Sequence, residues 1–336
     1  MPPIYVTEQG AKLRVRNNCL LVEKEGENEP ELLYRAPIGT VSQVVLLGNI
    51  GMTTPSIAEF LQREIDVVFL DHLGNYRGRL MSGADPHASL RRAQYAAAEN
   101  ESFAHSLRFS LIRAKLRHQR ALLRRHDPND GTVSEAIENI ASAEIRLEKK
   151  KTADEQRGEE GIAAKAYFAG YRRFFAEEWG FRARLHHPSP DPVNAMLSFG
   201  YTLLAGIADS AVQTVGLDPF VGFLHREGYN RSSLGLDLME EFRPVVDGVV
   251  LRCVHEELIT PADFSKEPGN AGCRMTNEAR KTFLREFETR MQGRYTHPVT
   301  QTRLPMRQCI LEQARQIAAA CEKAPELPRF VCMGFR

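Results

Sequence analysis

Two patterns of apolar and polar positions divide the chain. Over residues 4–82 the apolar positions alternate or fall in short β-branched blocks, the signature of strands. IYVTEQGAKLRVRNNCLLVEKEG holds two such runs about a Gly-containing turn, and ELLYRAPIGTVSQVVLLGN two more. TTPSIAEFLQREI predicts a short helix with Thr54 as N-cap and Pro55 at its first position. IDVVFLDHLG and NYRGRLMSG then predict two further strands. The order is several strands, one helix, two strands, which predicts a small β-rich domain over residues 1–85.

SGADPHAS punctuates the chain there, so 86–92 is expected to be a linker. Beyond it the apolar period becomes helical. A larger all-α domain is predicted over 93–325, broken at DPNDG, HHPSPDP, GLDP and KEPGNAG, with a tail over 326–336. The fold class expected is α+β.

Composition changes this picture little. With 336 residues, 43% hydrophobic and 26% charged, the chain has apolar content for full cores and a length that favours two domains. The six cysteines form no C-x-x-C pair and stand at no zinc-finger spacing, which argues against structural zinc and fits a reducing, cytoplasmic compartment. No run of 18 apolar residues predicts a membrane span.

The net charge of +1 hides an uneven distribution. Between Arg91 and His126 stand nine lysines and arginines, opposed by Glu99 and Glu101. Helical spacing sets Arg113, Arg117, Arg120 and Arg124 along one stripe, suited to a phosphate backbone. The same stripe is equally a solvated face, or one paired with acids such as Glu135, Glu138 or Glu144. A second group, Arg172 and Arg173 with Arg182 and Arg184, interleaves with Phe168, Phe174, Phe175, Trp179 and Phe181. Such aromatics stack on bases or, more often, form core.

The chemistry with most content lies in HREGYNRSSLGLDLMEEFRP. Asp237 and Glu240 are three apart and share a helix face. Asp237 stands among leucines, and a buried acid there must be paired, protonated or metal-bound. With His225 and the distant Glu160, these residues are a candidate site for a hard divalent cation. Each also has a bland role: a hydrogen-bonded structural histidine, or an acid at a helix start, where Glu159 competes with Glu160.

Four segments in register then give a resemblance spanning nearly the whole chain. EGIAAKAYF, DPVNAMLSFGYTLL, LDPFVGFLH and RSSLGLDLMEEFRP resemble the successive motifs of the CRISPR-associated endonuclease and integrase family, the catalytic subunit of spacer acquisition. LLGNIGMTTPSIAEFLQREIDVVFLDHLGNYRGRL is similar to the end of that family's β-rich domain. The resemblance implies that Glu160, His225 and Glu240 bind Mg²⁺ or Mn²⁺, with Asp237 a further acid of the catalytic site and Asn194 a support. The third ligand is Glu here rather than Asp. It also implies phosphoryl transfer on DNA, in which the 3′-hydroxyl of a short fragment attacks a phosphodiester of a CRISPR repeat, or water does so in hydrolysis.

A homodimer through the β-rich domain and a small second CRISPR adaptation protein as partner follow from the same resemblance. The tail is a candidate docking segment for that partner. Assignment of the two basic groups to DNA rests on charge alone. Two other classes stand beside this reading: a non-catalytic nucleic-acid-binding protein with a basic helical surface, and a structural protein whose acids only pack.

Overall fold

The computed structural model describes residues 3–26, 29–71, 74, 76–80, 87–127, 131–185, 189–225, 228, 231–266 and 272–334. The chain forms two compact units that divide between Pro86 and His87.

The first unit holds β1 (Ile4–Val6), β2 (Lys12–Arg16), β3 (Cys19–Lys24), β4 (Glu31–Pro37), β5 (Gln43–Leu47), β6 (Gly51–Met52), α1 (Thr54–Gln62), β7 (Asp66–Leu70) and β8 (Tyr76–Leu80). They make two four-stranded sheets, ordered β4-β3-β2-β6 and β1-β5-β7-β8. The first 23 residues of pattern make three strands rather than two. The extra reversal is at Asn17 and Asn18, both with positive φ, a conformation asparagine tolerates better than most residues and two-residue hairpins require. β5, α1 and β7 form a parallel crossover. Helix α1 starts one residue earlier than expected, with Thr53 as its N-cap. Leu13, Leu20, Val44, Leu46, Phe60 and Val67 fill the core.

The second unit runs α2 (Ala88–Glu99), α3 (Glu101–His126), α4 (Ser134–Leu147), α5 (Ala153–Tyr171), α6 (Pro192–Thr214), α7 (Ser233–Glu240), α8 (Arg243–His255), β9 (Phe264–Lys266), β10 (Cys273–Met275), α9 (Asn277–Gln292), β11 (Arg294–Thr296), β12 (Arg303–Pro305) and α10 (Met306–Glu322). Two small antiparallel ribbons, β9–β10 and β11–β12, interrupt the helices. Most of the stretch expected as linker is the first turn of α2; residue 86 lies outside the described residues.

Helix α6 is apolar and long enough to cross a bilayer by composition, yet it is the bundle's central helix and packs on α7, α8 and α10. Gly200 makes that packing possible: a Cβ there would fall 2.5 Å from Val246 Cγ1. Residues 331–333 of the tail are engaged within their own unit. Met333 is buried, its amide donates to Glu241, and its carbonyl lies 2.6 Å from His118 Nε2.

Candidate active site

Helix α7 carries Asp237 and Glu240 on one face, both buried. The segment before it wraps the Asp237 carboxylate. Phe223 and Leu224 donate their amides to Oδ2, and His225 donates its amide to Oδ1 at 2.8 Å. Gly222 is required at the turn, because a Cβ would lie 2.8 Å from Asp237 Oδ2 and 2.9 Å from Ser233. The imidazole closes the wrap, with Nδ1 2.7 Å from Asp237 Oδ1. An ionised carboxylate only accepts, so the Nδ1 position carries the proton and the Nε2 lone pair is free. Nε2 stands 3.7 Å from Glu240 Oε1. Asp237 therefore sits behind the histidine and orients it.

Glu160 comes from the middle of α5 rather than from a helix start. That helix begins at Ala153, well before Gly161, behind a capping box of Thr152 and Glu155 that TADE in the sequence encodes. The Glu159–Glu160 doublet splits across the helix. Glu159 pairs with Arg146 at 3.0 Å, while Glu160 turns to Lys115 of α3.

Lys115 joins the site's two acids. Its Nζ contacts Glu160 Oε1 and lies 2.6 Å from Glu240 Oε2. Arg243 Nε contacts the other Glu240 oxygen at 2.6 Å. Burial alone would raise the Glu240 carboxyl, but Arg243 and Lys115 outweigh it and hold it down at about 2. Burial likewise works to lower Lys115, and the Glu240 and Glu160 charges reverse that to a raised value.

Among the described residues no three His, Cys, Asp or Glu side chains close into a cation cage, because the Lys115 head lies between the donors. The donor set fits a hard divalent ion: two carboxylates, one free imidazole nitrogen, and an ammonium standing in as the cation.

These groups line a cavity of about 570 Å³. Its other walls include Phe168, Arg172, Arg184 and Tyr201. The Tyr201 ring supports the guanidinium groups of Arg243 at 4.6 Å and Arg184 at 5.4 Å from its centroid. Its hydroxyl, with that of Tyr167 at 2.6 Å, donates to the buried Asp247. Burial pushes the Asp247 carboxyl up to about 6 although both hydroxyls and Arg243 pull it down. Asn194, fully buried, holds the loop bearing Arg184: Oδ1 accepts from Arg184 Nη1 at 2.8 Å and from the Leu185 amide at 3.0 Å.

The basic stripe on α3 is spent mainly on a neighbour. Arg113, Arg117 and Arg120 converge on Glu144 of α4 at 3.3, 2.6 and 2.8 Å. Burial opposes ionisation of Glu144, but the three arginines win and lower it. Only Arg124 of the four is exposed without an ion pair among the described residues. Arg172 and Arg173 are exposed, and Arg172 reaches the cavity. The aromatics between them are core: Phe168, Phe175 and Phe181 pack edge-on around Tyr171, with centroids 5.1–6.0 Å from it.

Sequence reasoning missed Lys115, Tyr201, Arg243 and Asp247 as parts of the site, and placed Arg184 only in a basic group assigned to DNA by charge. Two had signals. Arg243 stands three residues after Glu240, and Asp247 is an acid inside the apolar run RPVVDGVV.

A half-buried histidine paired with a buried carboxylate faces a second carboxylate in a cavity walled by arginines, chemistry suited to phosphate esters. The comparisons agree with that class. The family model for CRISPR associated protein Cas1 matches residues 4–289. A CRISPR-associated endonuclease Cas1 of Thermus thermophilus is 38% identical over 94% of this chain and 95% of its own length. Two solved structures share the fold at 22% identity: a casposase bound to integration product (TM-score 0.86; 98% of this chain, 93% of that one) and a Cas6-RT-Cas1–Cas2 complex (TM-score 0.84; 98% and 36%). The chain belongs to the Cas1 family.

Proposed function

We propose that this protein is a metal-dependent DNA endonuclease and integrase that joins short DNA fragments into a CRISPR array. The observation that carries the reading is the meeting of Glu160 and Glu240 about the Lys115 ammonium, with His225 Nε2 3.7 Å from Glu240, in an arginine-walled cavity. Those three residues would hold Mg²⁺ or Mn²⁺, which when bound supplies charge neutralisation at the phosphate and lowers the pKa of the attacking hydroxyl.

The chain's own residues do the rest. Asp237 fixes the His225 tautomer and ring. Arg184, Arg243 and Arg172 set positive charge along the cavity wall for backbone oxygens. A 3′-hydroxyl oxygen bonds to the phosphorus as the bond to the leaving 3′-oxygen breaks. The attacking group loses its proton to solvent and the leaving oxygen gains one. One phosphodiester replaces another, so no nucleotide cofactor is consumed.

A non-catalytic DNA binder would rest on the α3 stripe, and three of its four arginines are engaged with Glu144. That favours the catalytic reading.

The fold shared with a Cas6-RT-Cas1–Cas2 complex supports a small second CRISPR adaptation protein as partner. A homodimer is supported by β4, an edge strand that leaves Leu32, Leu33 and Tyr34 exposed.

The test is a joining assay with a labelled duplex, a plasmid bearing a repeat array, and Mn²⁺ or Mg²⁺. Product is expected with wild type and lost in H225A, in E240A and with EDTA. Joining that survives E240A or EDTA would overturn the proposal.

A further inference from the structure

The cavity's cations differ in how they are neutralised. Lys115 contacts Glu160 and Glu240, and Arg243 contacts Glu240. Arg172 and Arg182 are exposed, where water solvates their charge. Arg184 fits neither class. It is only partly exposed, and among the described residues no carboxylate comes within ion-pair distance of it.

Its hydrogen bonds all go to neutral acceptors. Nη1 donates to Leu185 O at 2.6 Å and Asn194 Oδ1 at 2.8 Å, and Nη2 donates to Ser198 Oγ at 3.1 Å. Of the five N–H donors of a guanidinium, this leaves one on Nη2 and the one on Nε. Nε is buried without a partner. The nearby acids are committed elsewhere. Asp191 caps α6 through the Asn194 amide at 2.8 Å, and Asp247 takes the hydroxyls of Tyr167 and Tyr201.

A guanidinium oriented by neutral groups, stacked on a ring and left without a counter-ion is fixed in place but not neutralised. A desolvated cation of that kind is costly unless an anion completes it. It lines the same cavity as Glu160, His225 and Glu240. We propose that Arg184 is a phosphate-positioning residue, its guanidinium taking an oxygen of one backbone phosphate of the DNA strand seated in that cavity. Asn194 and Tyr201 hold it at the angle this requires. The inference rests on the DNA reading above and assigns one residue of it to one phosphate.

The experiment measures binding of a branched DNA duplex across a salt series for wild type, R184Q, R184K and, as a distant charge control, R315Q on α10. A single neutral methylphosphonate is then moved through the phosphates around the branch. R184Q is expected to bind roughly tenfold more weakly, with a salt slope smaller by about one. R315Q should match wild type. At one phosphate the methylphosphonate should weaken wild type by about tenfold and leave R184Q unchanged, because the two changes remove the same contact.

Methylphosphonate effects that are equal in wild type and R184Q at every position would overturn the inference. If R184Q does not fold, the same comparison is read on R184K, where the coupling should be reduced at the same single phosphate. Wild type with no salt-dependent DNA binding would instead overturn the DNA reading, a result distinct from an uncoupled Arg184.

Discussion

Asp237 Oδ1 lies 2.7 Å from His225 Nδ1, and that contact decides which ring nitrogen faces Glu240. The acid is fully buried and holds three backbone amides as well, so the histidine is fixed by a carboxylate that cannot itself move. The orientation of His225 thus depends on a residue that does not line the cavity.

Replacing Asp237 should act through His225. D237N keeps the size but frees the tautomer, and the Mn²⁺ concentration for half-maximal joining should rise about 10- to 100-fold. Titration of Mn²⁺ in the joining assay checks this; an unchanged requirement would show that the pair is only structural.

Lys115 neutralises the buried Glu240 and the half-buried Glu160 at once. K115M leaves Glu160 and Glu240 facing each other without it, and should destabilise the protein in EDTA by about 3 kcal/mol. Mn²⁺ should restore most of the melting temperature, since a divalent ion supplies the missing charge. Calorimetry with and without Mn²⁺ reads both halves.

Glu241 gives stability a pH dependence. Burial raises its carboxyl from 4.5 to about 7, against the pull of Gln313 and the Met333 amide. The folded state therefore holds a proton that the unfolded state has released. Stability contributed by that proton is complete below about 4.5 and is lost as pH rises through 7, a change of roughly 3 kcal/mol. In denaturant titrations, wild type should weaken from pH 5 to pH 8 and E241Q should weaken much less.

Glu144 restrains the α3 arginines. E144Q should release Arg113, Arg117 and Arg120, steepening the salt dependence of DNA binding by about one unit and tightening it at low salt. Fluorescence anisotropy against log salt measures the slope, and an unaltered slope would remove these arginines from the DNA surface.

The β4 edge bears on assembly. L33E with Y34E places charge on the exposed strand and should convert a dimer to monomer in light scattering, while leaving the unit's core residues untouched.

Much of this protein is legible in its sequence because periodicity is local. The change from strand to helix period near residue 86 fixes the α+β division, and the three-residue spacing of Asp237 and Glu240 fixes their shared face. Capping chemistry is local too: TADE encodes the start of α5. What the sequence leaves open depends on pairs distant along the chain. Glu160 and Glu159 are indistinguishable until α3 offers Lys115 to one and α4 offers Arg146 to the other. The α3 stripe is a DNA surface or an ion-pair partner according to where Glu144 lies, 24 to 31 residues away. Arg184 becomes distinctive only when packing surrounds it with neutral acceptors. Local pattern determines elements and faces because it follows backbone geometry; which charges are neutralised is decided by tertiary packing, because burial and partners set the cost of every charge.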